Sequence, residues 1–158
     1  VHEYARFLNR HAAAQHILTV SQNVEFWGLH WDEWPVVAPY SRPFNDSPDE
    51  LLNLYQRSRI NVHDNIYGFA LHSRVLEAMA VGGFVMAHES PHYGKAGQMT
   101  ETFEPDVHFG QYNAENFAEE ASYWLHADRQ RPVSEARKVN RDRHLWKHRA
   151  QQILNDLK

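Results

Sequence analysis

Residues 59–87, "RINVHDNIYGFALHSRVLEAMAVGGFVMA", form the stretch that decides the fold. The β-branched residues of "RINVHDN" predict a strand, and "GGFVMA" predicts a second strand. Between them, residues 74–80 have the apolar spacing of a helix, for which Ser73 is the expected N-cap. Two strands separated by a helix favour a parallel pair, because parallel neighbours need a crossover connection.

The remainder of the chain continues this alternation. Further strands are expected at "NVEFWG" (residues 23–28), near Val36 and Val37, and at "VHFGQY" (residues 107–112). Further helices are expected at residues 2–15, after the N-caps Ser47 and Asn113, and over the tail 128–158. The sequence therefore predicts an α/β protein of the Rossmann-like class, a parallel sheet with helices on both faces and a long C-terminal helix.

The composition is that of one globular domain. The chain has 158 residues, of which 42% are hydrophobic and 23% charged, and both fractions are ordinary for folded proteins. Its net charge of −4 argues against a nucleic-acid partner. The sequence has no cysteine, which excludes disulfides and thiolate metal sites and fits a cytoplasmic location. No apolar run approaches the roughly 20 residues of a membrane span.

The opening residues, "VHEYARFLNRHAAA", have an amphipathic helical pattern, with neither an initiator methionine nor a signal peptide. No linker or internal repeat divides the sequence that follows. We therefore expect residues 1–158 to be a single domain that is a fragment of a longer protein.

Arg74 is an unusual residue for the first turn of a helix, because helix N-termini carry partial positive charge and unpaired amides. The residues expected on the core face of this helix are Val75, Leu76, Met79 and Ala80. Arg74 and Glu77 lie opposite that face, close enough to touch. They form either an exposed ion pair or a ligand clamp, in which Arg74 neutralises a phosphate and Glu77 accepts hydrogen bonds from a sugar diol.

The other motifs predict less. Gly82 and Gly83 follow a helix instead of preceding one, which favours a helix end over a phosphate loop. The sequence has 12 histidines, but His88 and His92 lie in a loop and have no third ligand at a recognisable spacing, so no metal site is predicted. Three tryptophans within eight residues either form a stacking wall for a base or sugar or pack their loop onto the core. They are Trp27, Trp31 and Trp34.

Five ordered blocks of this sequence resemble a known family. They are Tyr55 to His63, Arg74 to Gly83, Phe103 to Asp106, Tyr112 to Phe117, and His144 to Arg149. Together they resemble the C-terminal domain of GT-B-fold glycosyltransferases, in the group that includes the "glycosyl transferases group 1" and spore-maturation B-like proteins. The resemblance extends from about Asn23 to the end of the chain.

The resemblance implies a donor-binding domain that faces a second, N-terminal GT-B domain missing from this chain. The family glutamate that binds the ribose hydroxyls of a nucleotide-sugar matches Glu77, and the basic residue that attends the diphosphate matches Arg74. It implies a glycosyltransferase that moves a sugar from a nucleotide-diphosphate sugar to an unknown acceptor. The leaving diphosphate would be stabilised by helix amides and Arg74 as the catalytic group, with no obligatory cofactor.

On this interpretation the segment from His63 to Glu77 holds a nucleoside diphosphate. Gly68 would let the loop approach the phosphates, and His72 and Ser73 would offer donors at the helix start. Beyond the segment, the further candidates for contact with the base are Tyr40, Arg42 and Trp27.

Two departures from the family leave an alternative open. Many retaining members have a glutamate where this chain has Phe69, and the acceptor-side domain is absent. The alternative is a non-catalytic Rossmann-like module with a structural or partner-binding role.

Overall fold

The computed structural model describes residues 2–64 and 71–157. Its helices are α1 (His2–Val20), α2 (Pro48–Arg57), α3 (Ser73–Ala80), α4 (Phe117–His126), α5 (Gln130–Arg143) and α6 (Trp146–Asp156). Its strands are β1 (Phe26–Trp27), β2 (Ser41–Arg42), β3 (Asn61–His63), β4 (Val85–His88) and β5 (Gly110–Tyr112). Two short 3-10 segments lie at Ala38–Tyr40 and Met99–Glu101.

All strand pairs between these elements are parallel. β3, β4 and β5 form a three-stranded sheet in that order, in which Val62 is opposite Met86 and Ala87 is opposite Gln111. β1 and β2 form a separate pair. The predicted parallel neighbours "RINVHD" and "GGFVMA" are thereby confirmed, with α3 as the crossover between them.

Helices cover both faces of the larger sheet, as predicted. The side chains of β4 alternate between the faces, because successive residues of a strand point to opposite sides. Val85 and Ala87 pack with α3 and α5, whereas Met86 packs with α4 and the end of α1. Burial on both faces explains why "FVMA" is apolar throughout instead of alternating.

The segment before α2 differs from the prediction. No strand forms at Val36 and Val37, which lie in a turn, and the partner of β1 is β2, four residues further on. Val37 is only 1% exposed and belongs to an apolar cluster with Phe26 and Ala14. Its apolar character therefore reflects burial of a turn, which sequence periodicity does not distinguish from a short strand.

The N-cap residue of one helix is the one that the sequence predicts, and the N-cap residues of two others are different. The Ser47 hydroxyl accepts a hydrogen bond from the Glu50 amide, as an N-cap should. For α3 the cap is His72 and not Ser73, since His72 Nδ1 accepts from the Arg74 amide at 3.2 Å. For α4 the N-cap position is Asn116 and not Asn113. Asn113 instead accepts hydrogen bonds from the amides that precede the helix.

The core face of α3 is rotated by about a residue from its predicted position. Ala78 is buried together with Val75 and Met79, whereas Leu76 is half-buried and Ala80 is exposed. The reason is that α5 also packs on α3, where the buried Asn140 donates a side-chain hydrogen bond to the Leu76 carbonyl. A second helix changes which side of α3 is enclosed.

The two glycines after α3 end the helix, as predicted. The Gly82 amide donates to Met79 and the Gly83 amide donates to Ala78, the hydrogen-bond pattern of a Schellman motif. Gly82 has a φ of +86°, which favours glycine. At Gly83 a Cβ atom would lie 2.6 Å from the Tyr55 carbonyl oxygen, so glycine is required there for close packing.

The predicted long C-terminal helix is present as α5 and α6, with a bend at residues 144–145. The His144 ring at this bend stacks on the buried Phe103, with 5.4 Å between the ring centroids. Two of the five blocks quoted above, 41 residues apart in their first positions, thus meet in space. This contact holds the end of α5 against the main core.

Candidate functional site

The carboxyl ends of β3 and β4 and the N-terminus of α3 lie at one edge of the larger sheet, where ligands bind in open α/β folds. Two buried or half-buried tyrosines hold this edge together. The Tyr112 hydroxyl donates to the His63 carbonyl at 3.4 Å, and the Tyr93 hydroxyl donates to the His88 carbonyl at 2.9 Å. Burial raises the pKa of Tyr93 to about 12 and that of Tyr112 well above its usual value. Both hydroxyls therefore stay protonated as donors.

Three nitrogen-bearing side chains are grouped at the start of α3. The rings of His63 and His72 are 5.6 Å apart between centroids. Burial, followed by the positive charges of His72 and Arg74, lowers the pKa of His63 to about 4. His63 is therefore neutral at pH 7, while Arg74 supplies a permanent positive charge. His63, His72 and Arg74 therefore lie near one another at this edge of the sheet.

The low pKa of His63 predicts a pH dependence of stability. The unfolded state, with a pKa near 6.5, binds the proton more readily than the folded state does. The free energy of unfolding therefore has its full value above pH 6.5, where His63 is neutral in both states, and it decreases as the pH falls toward 4. Between pH 7.5 and 5, wild type should lose about 1–2 kcal/mol more unfolding free energy than His63→Gln.

Urea denaturation at several pH values measures this difference. His11 and His144 also have lowered pKa values, but both remain in the variant, so subtraction isolates His63. Parallel pH profiles for the two proteins would contradict the assignment.

Arg74 and Glu77 do not form the exposed ion pair that the sequence left open. Within residues 2–64 and 71–157, the structure contains no salt bridge between them. Arg74 is exposed and Glu77 is half-buried. Both charges instead act on Tyr55 of α2, whose pKa burial raises, with Glu77 raising it further and Arg74 lowering it. An exposed guanidinium without an acidic partner in the described chain suits an external anion.

Two features of this edge were not predicted. Tyr55 lies in a quoted block but had no assigned role, and its contact with α3 depends on how two helices pack. The loop after β4 also reaches the site, because the Leu71 amide donates to the Gly97 carbonyl at 2.8 Å. Gly94 and Gly97 are the only local indication in the sequence of how that loop is shaped, and both have positive φ.

The other predicted site residues divide into three groups. Ser73 is exposed as the first residue of α3. Gly68, like Phe69, lies outside the described residues. Trp27, Tyr40 and Arg42 lie around the separate β1–β2 pair.

Glu25 organises the β1–β2 pair. Its carboxylate accepts hydrogen bonds from the Trp27 indole and Arg42 guanidinium, at 3.1 and 3.3 Å, and from Arg57 of α2 at 3.2 Å. Tyr40 packs against the apolar cluster around Phe26. The polar atoms of Trp27 and Arg42 thus already have an internal partner.

Trp31 and Trp34 pack against the same apolar cluster. The Phe26 and Trp31 rings are 5.0 Å apart, and the Trp31 indole donates to the Trp27 carbonyl. These contacts match the packing interpretation of the tryptophans. In the described portion of the chain, no three His, Cys, Asp or Glu residues are grouped so as to hold a metal ion.

A Rossmann-like parallel sheet presents helix N-termini at its carboxyl edge, where anionic ligands bind in folds of this kind. A family model described as glycosyl transferase-like matches residues 3–155. The chain therefore belongs to this glycosyl transferase-like family, which supports a general role in glycosyl transfer. Comparisons with curated proteins and with solved structures find no match.

Among the helices of residues 2–64 and 71–157, none combines the length and the apolar character needed to cross a bilayer.

Proposed function

We propose that this chain is the donor-binding domain of a nucleotide-sugar-dependent glycosyltransferase, with the donor diphosphate at the N-terminus of α3. The acceptor and the catalytic groups on its side would come from an N-terminal GT-B domain. The proposal requires no metal or other cofactor.

The observation that carries the proposal is the exposed Arg74 in the first turn of α3, without an acidic partner in the described chain. The amides of a helix start and a guanidinium both favour a phosphate group. Family membership supports a sugar-phosphate ligand in particular. His63, being neutral, adds a hydrogen-bonding group without a second buried charge.

The position of Glu77 supports the sugar end of the ligand. Glu77 lies one turn after Arg74 on α3 and is half-buried beside Tyr55. Residues three apart in a helix lie on the same side, so one ligand can contact both. A carboxylate there accepts two hydroxyl hydrogen bonds, as a ribose diol requires.

Titration calorimetry with uridine, guanosine and adenosine diphosphates tests the proposal. We expect binding of at least one of them, and Glu77→Gln should weaken that binding by about tenfold or more. The same substitution should leave inorganic pyrophosphate nearly unaffected, because pyrophosphate has no ribose.

Glu119→Gln serves as the matched control, since Glu119 is an exposed glutamate of α4. Equal weakening of the nucleotide and of pyrophosphate by Glu77→Gln would exclude the ribose role. No binding of any diphosphate at millimolar concentration to the folded domain would favour the non-catalytic module.

A further inference from the structure

His88 lies at the carboxyl edge of the larger sheet, and the proposed function gives it no role. It is the last residue of β4 and is in register with Tyr112 of β5. It comes one position after Ala87, the partner of His63. Since neighbouring strands are about 5 Å apart, His88 ends the strand directly beside the one that carries His63.

The imidazole of His88 is held in place by its surroundings. Its ring packs edge-on against Tyr112, with 5.0 Å between the ring centroids. The His88 carbonyl accepts a hydrogen bond from the Tyr93 hydroxyl at 2.9 Å, and the amide of the next residue, Glu89, donates to the Tyr112 carbonyl at 2.7 Å. A side chain fixed in this way at a strand end is preorganised for contact with a ligand.

One hydrogen bond sets the tautomer of this ring. His88 Nδ1 lies 2.6 Å from the Glu89 carbonyl oxygen, which can only accept, so Nδ1 carries a proton and donates it. In the neutral ring, Nε2 is then an acceptor. Within residues 2–64 and 71–157, the structure contains no hydrogen-bond donor for Nε2. His88 is half-buried, so a ligand can reach it.

The tautomer selects the kind of group that Nε2 binds. An acceptor attracts the hydrogen of a hydroxyl and repels a phosphate oxygen, which is itself an acceptor. In the proposed function, Arg74 pairs with the diphosphate of a nucleotide-sugar and Glu77 with its ribose. The donor sugar is the remaining part of that ligand, and its hydroxyls supply the hydrogen that Nε2 lacks.

We propose that His88 is a specificity-determining residue for the donor sugar, a hydroxyl of which it binds through Nε2. The assignment rests on the proposed function, because the diphosphate at the start of α3 positions the sugar. A series of contacts joins the two places. Tyr112, against which the His88 ring packs, donates to the His63 carbonyl at 3.4 Å. The His63 ring in turn lies 5.6 Å from the ring of His72, the N-cap of α3.

Two substitutions of His88 separate the contributions of its two nitrogens. The side-chain amide of asparagine takes the place of Nδ1, so His88→Asn keeps a donor for the Glu89 carbonyl and removes the group at Nε2. The longer side chain of glutamine places its amide near the position of Nε2, so His88→Gln keeps an acceptor there.

The test is titration calorimetry of the full 158-residue chain at about pH 8, where an ordinary imidazole is neutral. The probes are uridine, guanosine and adenosine diphosphates, beside uridine diphosphate glucose, guanosine diphosphate mannose and adenosine diphosphate glucose. His88→Asn should weaken nucleotide-sugar binding about fivefold to tenfold and leave the matching diphosphate within about twofold, since one neutral hydrogen bond is lost. His88→Gln should bind the nucleotide-sugar within about threefold of wild type.

His126→Asn is the matched control, because His126 Nδ1 also donates to a backbone carbonyl, that of Ser122 at 2.8 Å, at the end of α4. It should leave both kinds of ligand within about twofold. Circular dichroism and thermal melts check that each variant is folded. Because the experiment contains this chain alone, a residue of a companion domain cannot produce the difference.

Nitrogen–proton NMR of the imidazole rings gives a second measurement, on the wild-type chain. The His88 resonances should show a proton on Nδ1 and none on Nε2. The Nε2 resonance should shift when a nucleotide-sugar is added and stay in place with the matching diphosphate. This readout holds even if a His88 variant does not fold.

The outcomes distinguish this assignment from the proposed function. If a diphosphate binds but no nucleotide-sugar does, or if His88→Asn leaves the nucleotide-sugar unchanged or weakens both ligands equally, the sugar contact of His88 is wrong and the diphosphate site stands. A protonated Nε2 in the neutral ring would also overturn it. If no diphosphate and no nucleotide-sugar binds to the folded wild-type chain, the proposed function itself fails, and the role of His88 fails with it.

Discussion

Replacing Phe109 by alanine should lower the free energy of unfolding by about 3–5 kcal/mol. Phe109 directly precedes β5 and is 0% exposed, in the cluster that also contains Val75, Met79 and Val85. Its backbone carbonyl accepts from the Asp106 amide, so the chain around it is fixed and does not readily collapse into the space left by the ring. The lost contacts and the residual cavity then both contribute.

Urea denaturation followed by circular dichroism measures this loss. Phe44→Ala is the control, since its side chain is 63% exposed and the change should cost less than about 0.5 kcal/mol. If Phe109→Ala lost no more than Phe44→Ala, the cluster between the sheet and α3 would be wrongly placed.

Replacing Arg74 by alanine should weaken nucleoside diphosphate binding by about 1.5–3 kcal/mol, a factor of about 10 to 150 in Kd. The reason is that the side chain is exposed in the first turn of α3 and has no acidic partner in the described part of the chain. A bound diphosphate would provide that partner. Pyrophosphate should lose a similar amount, because the lost interaction is with phosphate and not with ribose.

Titration calorimetry of Arg74→Ala beside Arg137→Ala measures the effect. Arg137 is an exposed arginine of α5, so its removal changes net charge equally without changing the start of α3. Both variants should retain wild-type stability within about 0.5 kcal/mol. Equal affinities of the two variants for the diphosphate would move the proposed phosphate site away from α3.

Parts of the fold follow directly from local sequence. Ser47, Pro48 and the two acidic residues after them encode the start of α2, because a cap acts within one turn of the helix. The glycines after α3 encode its end in the same way. Predictions that needed a distant partner were less accurate. The sequence predicts a strand at Val37 because a buried turn and a buried strand have the same apolar residues.

In the candidate site, too, the features set by neighbouring residues could be predicted, whereas those set by distant residues could not. Arg74 and Glu77 stand out in the sequence because a helix fixes their spacing and places Arg74 against the helix dipole. The role of Tyr55 beside them was not apparent, since it depends on the packing of α2 on α3. The part of the prediction that concerns Gly68 falls outside the described residues and stays a prediction.

The sequence by itself determined the alternation of strands and helices, the parallel pairing of β3 with β4, and the cationic first turn of α3. Each of these rests on interactions within a few residues or on a crossover that admits one simple arrangement. Only the tertiary structure decided which face of α3 is buried and that Glu25 binds Arg42 and Arg57. These features depend on contacts between residues distant in the chain, which local periodicity does not specify.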